Sequence, residues 1–267
     1  MSHDVAVFSV DLEIRYLLSR NSNKPLGELR KAFFNHLIAL LEFLKNNHIR
    51  ATFFVEGFLA TTLPIAVKAV RDYGHEIACH SFSHRPLSKL PTSEIERDLK
   101  KAVRVLVELT GDRPLGFRAP RFMTNKRVFG VLDKLGFVYD SSIVPFWIPG
   151  RYCYLSAPRK PFSMRPHYNI IEVPVSVLNI VRLPLGLPWI NMVGSNVFLT
   201  LLKALGTTRP IVFYMHIDDL FGRGLYNLAC FVSFLKEFKT KFMTALELTE
   251  LLEPCCSIGD GPRGGGE

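Results

Sequence analysis

The sequence predicts an α/β protein: a parallel sheet with helices outside it, in one domain over residues 1–252. Three observations predict it. Short β-branched and aromatic runs alternate with longer stretches of helical periodicity, the pattern of strands joined by crossover helices. The 267 residues are near the length of a (β/α) barrel. Residues suited to chemistry recur where the apolar runs stop, which is where such folds build their sites.

The elements follow in order. "VAVFSVDLE" (5–13) reads as a strand ending in acids. Leu, Phe and Ala at helical spacing predict a helix over 26–47. "ATFFVEG" is a strand stopped by Gly57, 63–73 a helix, and "EIACHS" a strand running into two histidines. Residues 91–111 carry a Ser or Thr cap, early acids, later bases and a terminal Gly, all signs of helix limits. "GFRAPRF" ends a strand, 124–136 is a helix with a Gly stop, and "FVYDSSI" is a strand. Residues 144–173 look irregular. "IIEVPVS" and "PIVFYMH" return as strands, and 234–253 reads as a closing helix. The Gly-rich end, 253–267, is expected to be disordered.

Composition narrows the function classes. With 48% hydrophobic residues the chain can bury a core without disulfide staples. Its five cysteines are odd in number, lack CxxC spacing and include an adjacent pair. That suits reduced thiols in a cytosolic protein better than a disulfide framework. The first residues lack a basic stretch followed by an apolar run, so no secretory signal is expected and the setting reads as cytoplasmic. The formal charge of +9 fits an anionic surface, a phosphorylated substrate or plain solubility. The basic residues are scattered, which argues against nucleic acid. No GxGxxG follows the first strand, which argues against hydride transfer.

Three of the eight histidines fall in "GHEIACHSFSH" (74–84). His80 and His84, four apart, would share one face of a helical turn, a common way to hold a metal. A solvated or hydrogen-bonded pair is the bland alternative. Cys79 would point to the opposite strand face from His80. Asp11 and Glu13 are two apart at a strand end, so both carboxylates share a face. Arg118, Asp140 and His216 each follow an apolar stretch in the same way.

This ordered set resembles the polysaccharide deacetylase family, also called the NodB-homology domain. The blocks "FSVDLE", "HSFSH", "FRAPRF", "YDSSI" and "FYMH" carry the resemblance, with "ATFFVEG", "GHEIACH" and "EVPVS" beside them. The resemblance implies a deformed (β/α) barrel holding one divalent metal. It implies Asp11 as general base, Glu13, His80 and His84 as metal ligands, and Arg118 as the group that holds the base. It further implies Asp140 as the acid that orients His216, His216 as general acid, and the backbone N–H of Arg121 as an oxyanion donor. Two departures stand out: Leu12 follows Asp11 where many members have a second acid, and Arg121 stands where many have Tyr or Gly.

The implied activity is metal-dependent hydrolysis of an N-acyl group, in the first place N-acetyl, from an amino sugar in a glycan or a lipid-linked precursor. Such a reaction needs an activated water, a stabilised oxyanion and a protonated leaving amine. Zinc is the first choice of ion, although two His and a carboxylate also suit ferrous iron. A deformylase or small-amide amidohydrolase is the alternative within the family, and a non-catalytic glycan-binding barrel the alternative outside it. Residues 183–202 are uncharged, but Pro and Gly break their first half, so they do not read as a membrane span. They suggest either a segment packed on the barrel or a peripheral membrane contact with Trp189 and Ile190 at the headgroups.

Overall fold

The structure is a computed structural model that describes residues 4–14 and 25–256, with side chains as far as residue 252. Its centre is β1 (Val5–Leu12), buried almost throughout. Parallel strands flank it: β2 (Thr52–Val55) on one side, β10 (Ile211–His216) on the other. The parallel run continues from β2 through β3 (Glu76–Cys79), β4 (Gly116–Phe117), β5 (Tyr139–Asp140) and β9 (Ile171–Glu172). There β8 (Phe162–Ser163) adds an antiparallel edge. β6 (Trp147–Ile148) and β7 (Tyr152–Cys153) form a separate hairpin within the stretch expected to be irregular.

The sheet curls into an incomplete barrel. The gap between β9 and β10 is bridged by irregular chain: Ser176 N–H donates to the Val212 carbonyl at 2.9 Å, and Gly186 bridges Tyr214 in parallel. The helices are α1 (Leu26–Asn46), α2 (Gly57–Thr62), α3 (Pro64–Asp72), α4 (Thr92–Thr110), α5 (Lys126–Lys134), α6 (Leu187–Val193), α7 (Ser195–Leu205), α8 (Gly224–Glu237) and α9 (Ala245–Cys256). α4 ends as its sequence suggests, with Gly111 in the left-handed region at φ 83°.

Strand alternation sorts the side chains into two layers. Ala6, Phe8, Val10 and Leu12 point outward into the large core shared with the helices, as does Cys79. Val7, Phe54, Ala78, Tyr139 and Val212 fill the inside. Tyr139 lies so close to β4 that a Cβ on Gly116 would sit 2.0 Å from its ring, so this position admits only Gly. The inner face of β1 continues from Val7 through Ser9 to Asp11, which places the first acid inside the carboxyl end of the barrel.

Two expectations are corrected. Residues 234–253 are not one helix. α8 stops at Glu237, Lys239 turns the chain at φ 52°, and β11 (Lys241–Met243) pairs with β1 before α9 begins. Pairing buries Met243 and satisfies an open edge of β1, which outweighs local helix propensity. Within residues 183–202 the headgroup placement of Ile190 is overturned. Ile190 is fully buried, and the Trp189 indole N–H donates to Tyr214 Oη at 2.8 Å. No helix among the described residues is long and apolar enough to cross a membrane. The expectation for 257–267 lies outside the described residues, and α9 carries the backbone to Cys256.

Candidate active site

Glu13, His80 and His84 each offer a ligand atom, and these atoms lie within 4.8 Å of one another. The grouping is not made by a helical turn. His80 directly follows β3, and the chain then loops, with Ser81 at φ 60° and His84 at φ 51°. Asp98, buried on α4, fixes this loop by accepting from the N–H groups of Phe82 at 2.7 Å and Ser83 at 3.1 Å. Ser81 Oγ accepts from the His84 N–H at 3.0 Å. The loop therefore does what i,i+4 spacing on a helix was expected to do. Asp98 was missed in the sequence, although an acid among Ile95, Leu99 and Ala102 on the apolar stripe of a helix was the signal.

The donors suit a metal ion. His80 Nδ1 lies 2.8 Å from the Arg118 carbonyl, which fixes N–H there and leaves Nε2 free to ligate. Glu13 Oε2 is buried without a hydrogen bond of regular geometry. His84 Nε2 touches it, and His80 Nε2 is 3.6 Å away. Burial opposes the Glu13 charge, but the two imidazoles outweigh it and hold the carboxyl well below the usual range. His80 responds in turn: burial disfavours its cation, yet Asp11 and Glu13 raise its pKa. Two imidazoles and one carboxylate around an orphaned oxygen form a donor set for zinc or a similar ion.

Asp11 sits beside this group, 2% exposed. Its Oδ1 accepts from Arg118 Nη1 at 2.7 Å, and its Oδ2 lies 3.8 Å from His216 Nε2. Arg118 is wholly buried. Its other donors reach the Ser141 carbonyl and Ser141 Oγ, each at 2.9 Å, and its guanidinium lies 4.1 Å from the Phe54 ring centroid. A cation so enclosed can hold one Asp11 oxygen in place while the other faces the cavity.

His216 ends β10. The expected partner of its ring was Asp140, and the geometry differs. Asp219 Oδ2 lies 3.1 Å from His216 Nδ1 and also accepts the His216 backbone N–H at 2.7 Å. Burial would lower the His216 pKa, but the hydrogen bond and charge of Asp219 raise it to about 10. Asp140 is instead bonded to Ser142, whose Oγ donates to it at 2.6 Å and accepts from the Ala119 N–H at 2.8 Å. Burial pushes Asp140 up to about 6 and its neighbour Glu172 well above the usual range. One residue explains the swap: the turn after His216 brings Asp219 back onto the ring, whereas four strands separate β5 from β10 in the sheet order through β1. Arg121 lies in a short turn after Pro120 at φ 58°, and lines the same cavity.

That cavity is about 610 Å³. Asp11, Glu13, His80, His84 and His216 lie along it together with Asp218 and Asp219. Aromatic and apolar groups form the rest of the wall: Phe122, Tyr152, Trp189, Tyr214 and Pro188. A polar inner end and a flat apolar wall suit a sugar ring bearing an amide.

The family model described as polysaccharide deacetylase matches residues 35–139. The match takes in the histidine pair and Arg118 but neither Asp11 nor His216. A peptidoglycan deacetylase-like protein of Gibberella zeae is 35% identical over 94 residues, 35% of this chain and 28% of that protein. A peptidoglycan deacetylase of Helicobacter pylori is 33% identical over 105 residues, 39% of this chain and 36% of that protein. The chain thus spans about a third of the length of these relatives. A solved structure of a putative polysaccharide deacetylase from Mycobacterium smegmatis aligns with all of this chain and 96% of that one, with TM-score 0.69 and 17% identity.

Proposed function

We propose that this chain belongs to the polysaccharide deacetylase family and is a metal-dependent hydrolase that removes N-acetyl from an amino sugar. The observation that carries the reading is the convergence, in one cavity, of the Glu13, His80 and His84 donor atoms with Asp11 and His216. Glu13, His80 and His84 would hold the ion, with zinc the first choice. The ion supplies Lewis acidity, which acidifies water and polarises an acyl oxygen.

The remaining roles fall to the chain's own groups. Asp11 Oδ2 takes a proton from the attacking water, and Arg118 holds the carboxylate aimed. The Arg121 backbone N–H faces the developing oxyanion. His216 Nε2 gives a proton to the departing amine, which leaves poorly as an anion. Asp219, rather than Asp140, holds the proton on Nδ1 and sets the ring's orientation. Asp140 supports the turn that carries Arg118 and Ala119, through Ser142.

The lipid-linked form of the substrate and a cytoplasmic setting belong to the same proposal. The free thiols of Cys79, Cys153 and Cys230 suit a reducing compartment. The test is acetate release from a panel of N-acetyl amino sugars by protein of measured metal content. Turnover that tracks the fraction of protein loaded with one ion per chain supports the proposal. Full loading with no acetate or formate released from any sugar overturns it and leaves a binding barrel.

A further inference from the structure

The inner end of the cavity is acidic, but its rim is not. Arg121 and Arg151 both line it, and both side chains are exposed. Other arginines are spent within the chain: Arg50, Arg71, Arg85, Arg104, Arg118 and Arg209 each meet a carboxylate, and Arg113, Arg127, Arg159, Arg165 and Arg182 each donate to a carbonyl or amide oxygen. Among the described residues no carboxylate lies within ion-pair distance of Arg121 or Arg151.

The backbone brings these two groups to the same rim. Arg151 closes a tight turn, its N–H donating to the Ile148 carbonyl at 3.0 Å, with Pro149 and then Gly150 at φ 74° in the middle positions. That is type II turn chemistry, and it fixes where Arg151 leaves the β6–β7 hairpin. Arg121 leaves a turn in which it and Phe122 both have positive φ, 58° and 59°. A non-glycine residue is disfavoured there. The two turns are docked through the residues next to the arginines. The Phe122 and Tyr152 rings meet edge-on with centroids 6.4 Å apart, and the Tyr154 hydroxyl donates to the Phe122 carbonyl at 3.1 Å.

From this juxtaposition we infer an anion subsite: Arg121 and Arg151 recognise a phosphate ester carried by the amino sugar whose N-acetyl group enters the inner end. Planar guanidinium groups pair well with phosphate oxygens. Trp189, Tyr214 and Tyr152 supply the wall on which the sugar lies between the two ends. The inference rests on the deacetylase reading and narrows it from neutral glycans to phosphorylated amino sugars. The phosphate can come from a nucleotide diphosphate or from a polyprenyl phosphate, and the same two arginines would meet either.

Calorimetric titration of metal-free protein at low salt tests it, because metal-free protein removes the ion as a rival phosphate site. The ligands are N-acetylglucosamine, its 1-phosphate, its uridine diphosphate ester and a short-chain prenyl phosphate ester. The phosphorylated sugars are expected to bind at least about 10-fold tighter than the neutral sugar, with the advantage shrinking as salt rises. Arg121→Asn, chosen because Asn tolerates positive φ, and Arg151→Gln are each expected to remove most of the gain, and Arg151→Lys only part of it. The tighter of the two ester arms identifies the source. Equal affinity for neutral and phosphorylated sugars, or a preference that survives the double variant, overturns the inference. Acetate release from neutral chitotriose by metal-loaded protein is measured in parallel. Turnover there without any phosphate preference ends the subsite but not the deacetylase reading. Tight binding of the esters without acetate release does the reverse.

Discussion

The two ends of the barrel hold similar residues and use them differently. At the amino ends of the strands, Glu76 is a half-buried carboxylate with its partners supplied by the chain. Thr52 Oγ1 donates to it at 2.6 Å, the Tyr139 hydroxyl at 2.5 Å and the Leu246 N–H at 3.1 Å. Thr52 Oγ1 also accepts the Ala245 N–H, and Glu247 and Thr244 cap each other, so the first turn of α9 closes this end with its amides satisfied. At the carboxyl ends, Glu13 Oε2 is buried with no regular hydrogen bond, and two imidazole nitrogens converge on it. Both sites contain a carboxylate, and both ends contain a histidine of the same eleven-residue stretch. The difference teaches that composition does not mark a ligand site. Unspent polar capacity does, where several ligand atoms converge on it.

The strongest way to break this comparison is to exchange the outcome at the two carboxylates. His80→Ala is expected to lose bound metal and to lower turnover by about 10³-fold or more, since an ion of this kind supplies several kcal/mol. Glu76→Gln is expected to keep one ion per chain and near-normal turnover. Metal stoichiometry by elemental analysis decides: loss of metal in Glu76→Gln, or full metal in His80→Ala, ends the distinction.

Within the carboxyl end, the ligands and the proton-transfer groups should separate. Asp11→Asn is expected to retain metal and lose about 10²–10⁴-fold in turnover. The sharper test concerns Asp219 and Asp140. His216 acts as an acid only while protonated, so the rate falls as pH rises through its pKa. Asp219 raises that pKa, so Asp219→Asn should shift the basic limb of the pH–rate profile to lower pH. Asp140→Asn should leave the limb in place. A limb displaced by Asp140→Asn and not by Asp219→Asn would restore the partner first expected from the sequence.

How far the sequence reached follows from the same geometry. Alternation along β1 was enough to put Asp11 and Glu13 on one face, and alternation along β3 to send Cys79 outward, because strand period is local information. Spacing singled out His80 and His84 over His75, but through a helical turn that the chain does not make. His75 and His80 sit at opposite ends of β3, and only the register of Thr52 with Glu76 and Val55 with Cys79 shows which end faces the site. The Asp219 contact lay within reach, three residues from His216, but reading it required a turn rather than a strand continuing past the histidine. The Arg121–Arg151 rim was not legible at all: it depends on the Phe122–Tyr152 contact between distant turns. The β11 strand hidden in an apparent helix is another case in which a partner strand decides and local pattern does not.

A smaller effect is expected from dismantling the satisfied end. Glu76→Ala strands the Tyr139 hydroxyl, Thr52 Oγ1 and the Leu246 N–H together, so a loss of about 1–3 kcal/mol is expected from thermal or denaturant unfolding. Metal content measured on the folded variant should be unchanged. Loss of metal without loss of stability would mean that the two ends are coupled, and the contrast between them would fail.

The smallest expected effect belongs to His75, the histidine that the fold leaves away from the site. It is 8% exposed, stacks obliquely on Phe53 at 5.2 Å, and its Nδ1 accepts the Ala51 N–H at 3.3 Å. Its Nε2 is buried without a partner, yet no carboxylate converges on it, so the structure assigns it to the neutral core. Burial lowers its pKa to about 4, helped by the charge of Arg50. Near pH 7 the ring is neutral whether the chain is folded or unfolded, so it costs nothing there. As pH falls below about 6.5, the unfolded chain takes up a proton that the folded one refuses, and stability drops until the folded ring titrates too. The loss between those limits should be on the order of 2 kcal/mol once solvent screening is allowed for. Asp140 and Glu172, whose pKa values are raised, act with the opposite sign over part of the same range, so the wild-type curve alone cannot isolate the histidine. His75→Asn can: its side-chain oxygen can still accept from Ala51, and it does not titrate. The difference in unfolding free energy between wild type and His75→Asn should therefore change as pH falls from about 6.5 to 4, in favour of the variant. A constant difference across that window would show that the folded ring takes up its proton as readily as the unfolded one, and that the amino end holds a polar group as open to a partner as those of the carboxyl end.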